Sequence, residues 1–112
     1  MSKSIDGVTN WMQMFRWIVK LIRDDYNVDE KVLTRAVELD PGIGISTEQL
    51  ENVLEDIAEC FSLRFPDCTL DQVVRLEDLC MLASWMSGLY KRPDFVSDPF
   101  AEQCRAVNSI PD

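Results

Sequence analysis

At 112 residues the chain has the length of a single domain, which buries roughly two thirds of the surface exposed by its unfolded form; its 46% hydrophobic residues suffice for one modest core without staples. Twenty acidic against eleven basic residues give a net charge of -9 and a pI near 4.4, which excludes nucleic acid as a partner and points to basic protein surfaces. No apolar run approaches the ~20 residues of a membrane span, and Met1 to Gly7 lacks the basic start and apolar core of a secretory signal, so a cytoplasmic protein is expected.

The first helix is predicted to open at Asp6 or Thr9 and to run to about Asp25. Val8, Trp11, Met12, Phe15, Ile18, Val19 and Ile22 form its apolar stripe. Met14, Trp17 and Leu21 lie off that stripe, so the helix is apolar around more than half its circumference. Either the C-terminal tail or a second subunit is expected to cover the excess, giving a monomer or a weak dimer. From Asn27 to Ile45 the chain reads as a long ordered connection anchored by Val28, Val32, Leu33, Val37 and Leu39, with Asp40-Pro41-Gly42 and Gly44 breaking any helix.

A second helix starts sharply at Ser46 or Thr47, where Ser46 and Gln49 fit a capping box. Its stripe is Leu50, Val53, Leu54, Ile57 and Phe61. Between Glu48 and Glu59 stand five acids (Glu48, Glu51, Glu55, Asp56, Glu59) and no Lys or Arg. Those acids face water and form the candidate partner-binding surface. Pro66-Asp67 turns the chain into a brief helix, Thr69 to Val73, and a last long helix is predicted over Leu76 to Tyr90, with Leu79, Leu82, Ala83, Met86 and Tyr90 on its stripe. The tail from Lys91 either stays disordered or forms a short helix from Asp98-Pro99 to Val107, docking Phe95, Val96, Phe100 and Val107 on the spare face of the first helix.

The cysteines Cys60, Cys68, Cys80 and Cys104 are spaced by 8, 12 and 24 residues, which matches no zinc or redox pattern, and the chain has no His. Buried free thiols are expected, with no metal site. Acids and thiols without a His base, a Gly-rich phosphate loop or metal spacing argue against catalysis, so no catalytic residue is assigned.

The order of parts resembles the acyl carrier proteins: long helix, long loop, helix begun at an attachment serine, very short helix, final helix. The resemblance covers about Trp11 to Met86. Ile43, Gly44 and Ile45 fall on the Leu-Gly-x part of the family's Leu-Gly-x-Asp-Ser-Leu pattern, Val53, Ile57 and Phe61 on its buried positions, and Arg64-Phe65-Pro66-Asp67 on its Glu-Ile-Pro-Asp turn. The chain departs at the centre of the motif, with Ser46 in place of Asp, Thr47 in place of the modified Ser, and Glu48 in place of an apolar residue.

The resemblance implies an all-α, acyl-carrier-protein-like four-helix bundle, three longer helices and one short, over residues 1–92, with a C-terminal extension over 93–112. It further implies 4'-phosphopantetheine on Thr47, by gap-free alignment, or on Ser46 after a one-residue slip. The cargo would shelter in a space lined by Leu50, Leu54, Ile57 and residues of the last helix. Phosphopantetheinyl or acyl transferases and synthases would dock on the acids of the second helix. The alternative is a carrier-fold adaptor without a prosthetic group, in which Ser46 and Thr47 serve only as caps.

Overall fold

The first helix begins where Asn10 can cap it: the Asn10 backbone is extended and its Oδ1 accepts the Gln13 amide at 3.0 Å. The computed structural model describes Val8 and residues 10–108. The caps expected from the sequence, Asp6 or Thr9, lie outside the described residues, and Asn10 was not among those expected. Helix α1 spans Trp11–Tyr26, α2 Thr47–Phe61, α3 Thr69–Gln72, α4 Leu76–Met86 and α5 Asp98–Val107, with a 3-10 turn at Glu30–Val32. Among the described residues the fold is all-helical, and the one β-type pairing is an isolated bridge between Glu38 and Arg75. No described helix is long and apolar enough to cross a membrane.

α1 turns a different face inward from the one its sequence pattern suggested. Met14 and Leu21, expected off the stripe, are buried with Ile18, Val19 and Ile22, whereas Met12 is exposed and Trp11 and Phe15 are half-buried. A helix apolar on most sides has no unique inward face until its partners choose one; here α1 packs on α4 and α2. The excess aromatic surface is covered within the chain. Trp17 meets Phe61 of α2 edge to face at 4.9 Å, and Trp11 lies against Tyr90 at 6.3 Å and beneath the Arg35 guanidinium at 4.8 Å.

The connection from Asn27 to Ile45 is ordered by its own anchors. Val28, Leu33, Leu39 and Ile43 are buried and Val37 is half-buried, while Val32, expected as an anchor, is exposed on the 3-10 turn. Backbone bonds then tie the connection to the start of α4: Leu39 donates to the Val74 carbonyl, Leu76 to that of Val37 and Glu77 to that of Arg35. At Gly42 a Cβ would collide with the Glu38 carbonyl oxygen, so only glycine fits this approach.

α4 is the central helix. Eight of its eleven residues are buried, Trp85 included, and the buried Ser84 hydroxyl is satisfied by donating to the Cys80 carbonyl at 2.7 Å. It stops at Met86, four residues before the expected end at Tyr90, because Gly88 takes a positive φ of 79° and Leu89 donates back to the Ser84 carbonyl.

The tail forms α5 with Ser97 as its cap, and Pro99 lies in its first turn. Val96, Phe100, Ala101 and Cys104 are buried in the same core as the other helices. Val107, expected to dock, is exposed. Polar contacts of α5 reach the link after α2 and α4: Asn108 exchanges two hydrogen bonds with the Arg64 backbone, Cys68 donates to Gln103, and Arg105 lies over Trp85. All four cysteines are free; Cys80 and Cys104 are buried, but Cys60 and Cys68 are only half-buried. Burial pushes the Cys80 thiol well above its ordinary value, and burial with the neighbouring Cys68 pushes Cys104 up to about 11.

Candidate functional site: the acidic face of α2 and the clefts at its start

The turn into α2 is set by local chemistry. Gly44, at φ 84°, donates to the Pro41 carbonyl and leaves Ile43 buried and Ile45 half-buried, which fixes the chain just before the helix. Ser46 is then the N-cap. Its Oγ accepts the Gln49 amide at 3.1 Å, and the Ser46 amide donates to Gln49 Oε1 at 3.0 Å, completing the capping box expected from the sequence.

Thr47 is the first helical residue and is exposed, as is Ser46, but the two hydroxyls differ in their duties. The Ser46 oxygen is held in the cap, whereas Thr47 lines two clefts at once. The larger, of about 470 Å³, lies between the flank of α2 at Thr47, Glu51, Leu54 and Ala58 and the segment from Phe65 to Asp71. The smaller, of about 380 Å³, opens beside Leu39, Leu50, Val73 and Val74, and shares Thr47, Leu70 and Asp71 with the first.

The residues that the family resemblance implies for a cargo space do not line one common cleft. Leu54 lines the larger cleft and Leu50 the smaller, but Ile57 is fully buried and no residue of α4 lines either one.

Of the five acids assigned to the partner surface, Glu48, Glu51, Glu55 and Glu59 are exposed and share one ridge of the helix. Asp56 departs from this pattern: it is half-buried and accepts the Tyr26 hydroxyl at 2.9 Å, linking α2 to α1. Burial, and then this bond to a carboxylate, pushes the Tyr26 phenol well above its ordinary value and keeps it a donor. From residue 36 to residue 63 the sequence holds no Lys or Arg. Among the described residues no ion pair engages Glu48, Glu51, Glu55 or Glu59; Arg23, Arg35 and Arg92 serve Asp24, Glu30, Glu77 and Asp98 instead.

Glu48 stands in the first turn of α2, where the helix dipole favours a carboxylate, but the rest of the ridge works against the helix. Glu51 with Glu55, and Glu55 with Glu59, are like charges four residues apart, each pair costing an isolated helix about 0.2–0.5 kcal/mol. Glu59 also stands near the negative end of the helix dipole with no basic residue in the last turn.

Two further carboxylates, Asp67 and Asp71, are exposed on the opposite wall of the larger cleft and extend the acidic surface beyond α2. The sequence marked Asp67 only as part of a turn and did not mark Asp71; their spacing of four residues across the start of a short helix is the signal that joins them. Among the described residues no group of three or more Cys, Asp or Glu is placed to hold a metal ion. No protein-family model matches the chain, and no curated protein matches its sequence.

Proposed function

We propose that this protein is a non-catalytic interaction protein of acyl-carrier type that docks basic protein surfaces through the exposed acidic face of α2. The observation that carries this reading is the row of four exposed glutamates on one helix, engaged in no ion pair among the described residues, three of which repel one another along the helix. Charge arranged this way speeds encounter with a positively charged partner and selects among partners. The double substitution Glu51→Lys/Glu55→Lys tests it. Binding to a basic partner protein should fall by more than about tenfold at low salt and by less at high salt, because the lost attraction is screened within a Debye length of about 10 Å at 0.1 M ionic strength. Unchanged binding removes the α2 face from the proposal.

The finer reading, a phosphopantetheine arm, rests on Thr47. Thr47 is exposed at the positive end of α2 and its hydroxyl does not hold the cap, so it suits an attached phosphodiester better than the Ser46 hydroxyl. Incubation with coenzyme A and a broad-specificity phosphopantetheinyl transferase, followed by intact-mass measurement, decides it. A mass gain abolished by Thr47→Ala and retained by Ser46→Ala supports the carrier. No gain with several transferases leaves the adaptor, which uses the same α2 face without an arm.

A further inference from the structure

The larger cleft combines two chemistries that a purely electrostatic docking face does not need. Its floor is apolar, built from Leu54 and Ala58 of α2, Phe65 of the following link and Leu70 of α3. Exposed carboxylates stand on both walls: Glu51 and Glu55 on one, Asp67 and Asp71 on the other. No Lys or Arg lines it. At about 470 Å³ it falls within the ~300–1,000 Å³ range of ligand pockets and exceeds the volume of a single side chain.

We infer that this cleft receives a short basic segment of a partner protein, one that inserts an apolar side chain onto the Leu54, Ala58, Phe65 and Leu70 floor and sets Lys or Arg residues against the two acidic walls. The inference rests on the docking role proposed for α2 and adds to it the chemistry of the recognised segment. Four carboxylates around an apolar floor repel fatty acids and other anionic amphiphiles, so a bare acyl chain with a free carboxylate is the wrong occupant. A second copy of this chain carries the same net charge of -9 and is disfavoured by repulsion. A basic, amphipathic segment satisfies both the floor and the walls: apolar burial supplies the anchor, and flanking cations supply orientation and selectivity.

The test uses the full chain and two synthetic peptides. One places Lys and Leu in amphipathic helical order; its control carries Ser in place of every Leu, at the same charge. The wild-type protein should bind the Leu peptide at least about tenfold more tightly than the Ser peptide at equal salt. Amide shifts in labelled protein should be largest at Leu54, Ala58 and residues 65–71, which line the cleft or lie within its wall. Ala58→Trp, which fills the cleft from a half-buried position, should abolish the Leu preference while retaining the salt-sensitive binding common to both peptides. Leu70→Gln provides a second variant should the first fail to fold. Equal affinity for both peptides, or shifts confined to another face, overturns the inference. So does self-association that the Leu peptide fails to compete with. If both peptides bind equally and Glu51→Lys/Glu55→Lys weakens both, the docking role of α2 stands and the cleft inference alone falls. If that variant weakens neither, both fall.

Discussion

Ser46 and Thr47 are adjacent, exposed hydroxyl residues with separable roles. Ser46 exchanges hydrogen bonds with Gln49, so Ser46→Ala should cost about 1 kcal/mol in urea unfolding, while Thr47→Ala should stay within about 0.5 kcal/mol. Equal losses would mean that Thr47 also supports the fold. The Ser46 cap was readable in advance because its partner is three residues away and the pattern is local. The bond from Tyr26 to Asp56 was not, because the two are thirty positions apart and the chain between them must fold before they meet. Tyr26→Phe should cost about 1 kcal/mol near neutral pH. The sign of its pH dependence follows from the raised phenol: the folded state holds this proton more tightly than the unfolded chain. Its contribution is therefore complete below the unfolded value of about 10 and is lost as pH rises beyond it. Unfolding midpoints followed across alkaline pH should fall more steeply for the wild type than for Tyr26→Phe, and parallel curves would contradict this account.

Among the elements, α2 and α3 were legible because each carries one consistent signal: a cap followed by a single apolar stripe in α2, and a Pro-Asp turn before α3. α1 was harder: it is apolar on several sides, so periodicity establishes that it is a helix without specifying which face turns inward. In α1 the contact with α4 buries Met14 and Leu21 and leaves Met12 in water. In α4 the expected stripe of Leu79, Leu82, Ala83 and Met86 is buried, and only the end of the helix differs. The apolar pattern continues through Leu89 and Tyr90, and only the backbone at Gly88 ends the helix early. The α5 helix lay between two readings in the sequence, and its burial of Phe100, Ala101 and Cys104 places it in the common core. Phe100→Ala should therefore lower stability by about 3–5 kcal/mol, whereas Val107→Ala should change it by less than about 0.5 kcal/mol. Guanidinium unfolding of the two variants checks the contrast, and a small loss at Phe100 would detach α5 from the core.

At the scale of the whole molecule the helices enclose one core within a radius of gyration of 13.0 Å, close to the ~13 Å expected of a compact chain of about 100 residues. The larger cleft beside Thr47 arises only at this scale, because its walls come from residues 47–58 and 65–71, brought together by a link that the sequence marks merely as a turn. The acidic ridge, by contrast, was visible in full except for the diversion of Asp56 to Tyr26. Because the ridge opposes helix stability, Glu51→Lys/Glu55→Lys should leave the unfolding free energy unchanged or raise it by a few tenths of a kcal/mol, in contrast to its expected loss of binding. The most direct measurement is residue-specific photo-crosslinking in cells, with the photoreactive side chain placed in turn at Glu51, Glu55 and Glu59 on α2 and at exposed Lys20, Arg92 and Glu102 elsewhere. Protein adducts should form at the three α2 positions, with the crosslinks mapping to Lys- and Arg-rich segments, and should be scarce at the other three. Adducts spread evenly over all six, or concentrated away from α2, would contradict the claim that this face is the molecule's binding surface.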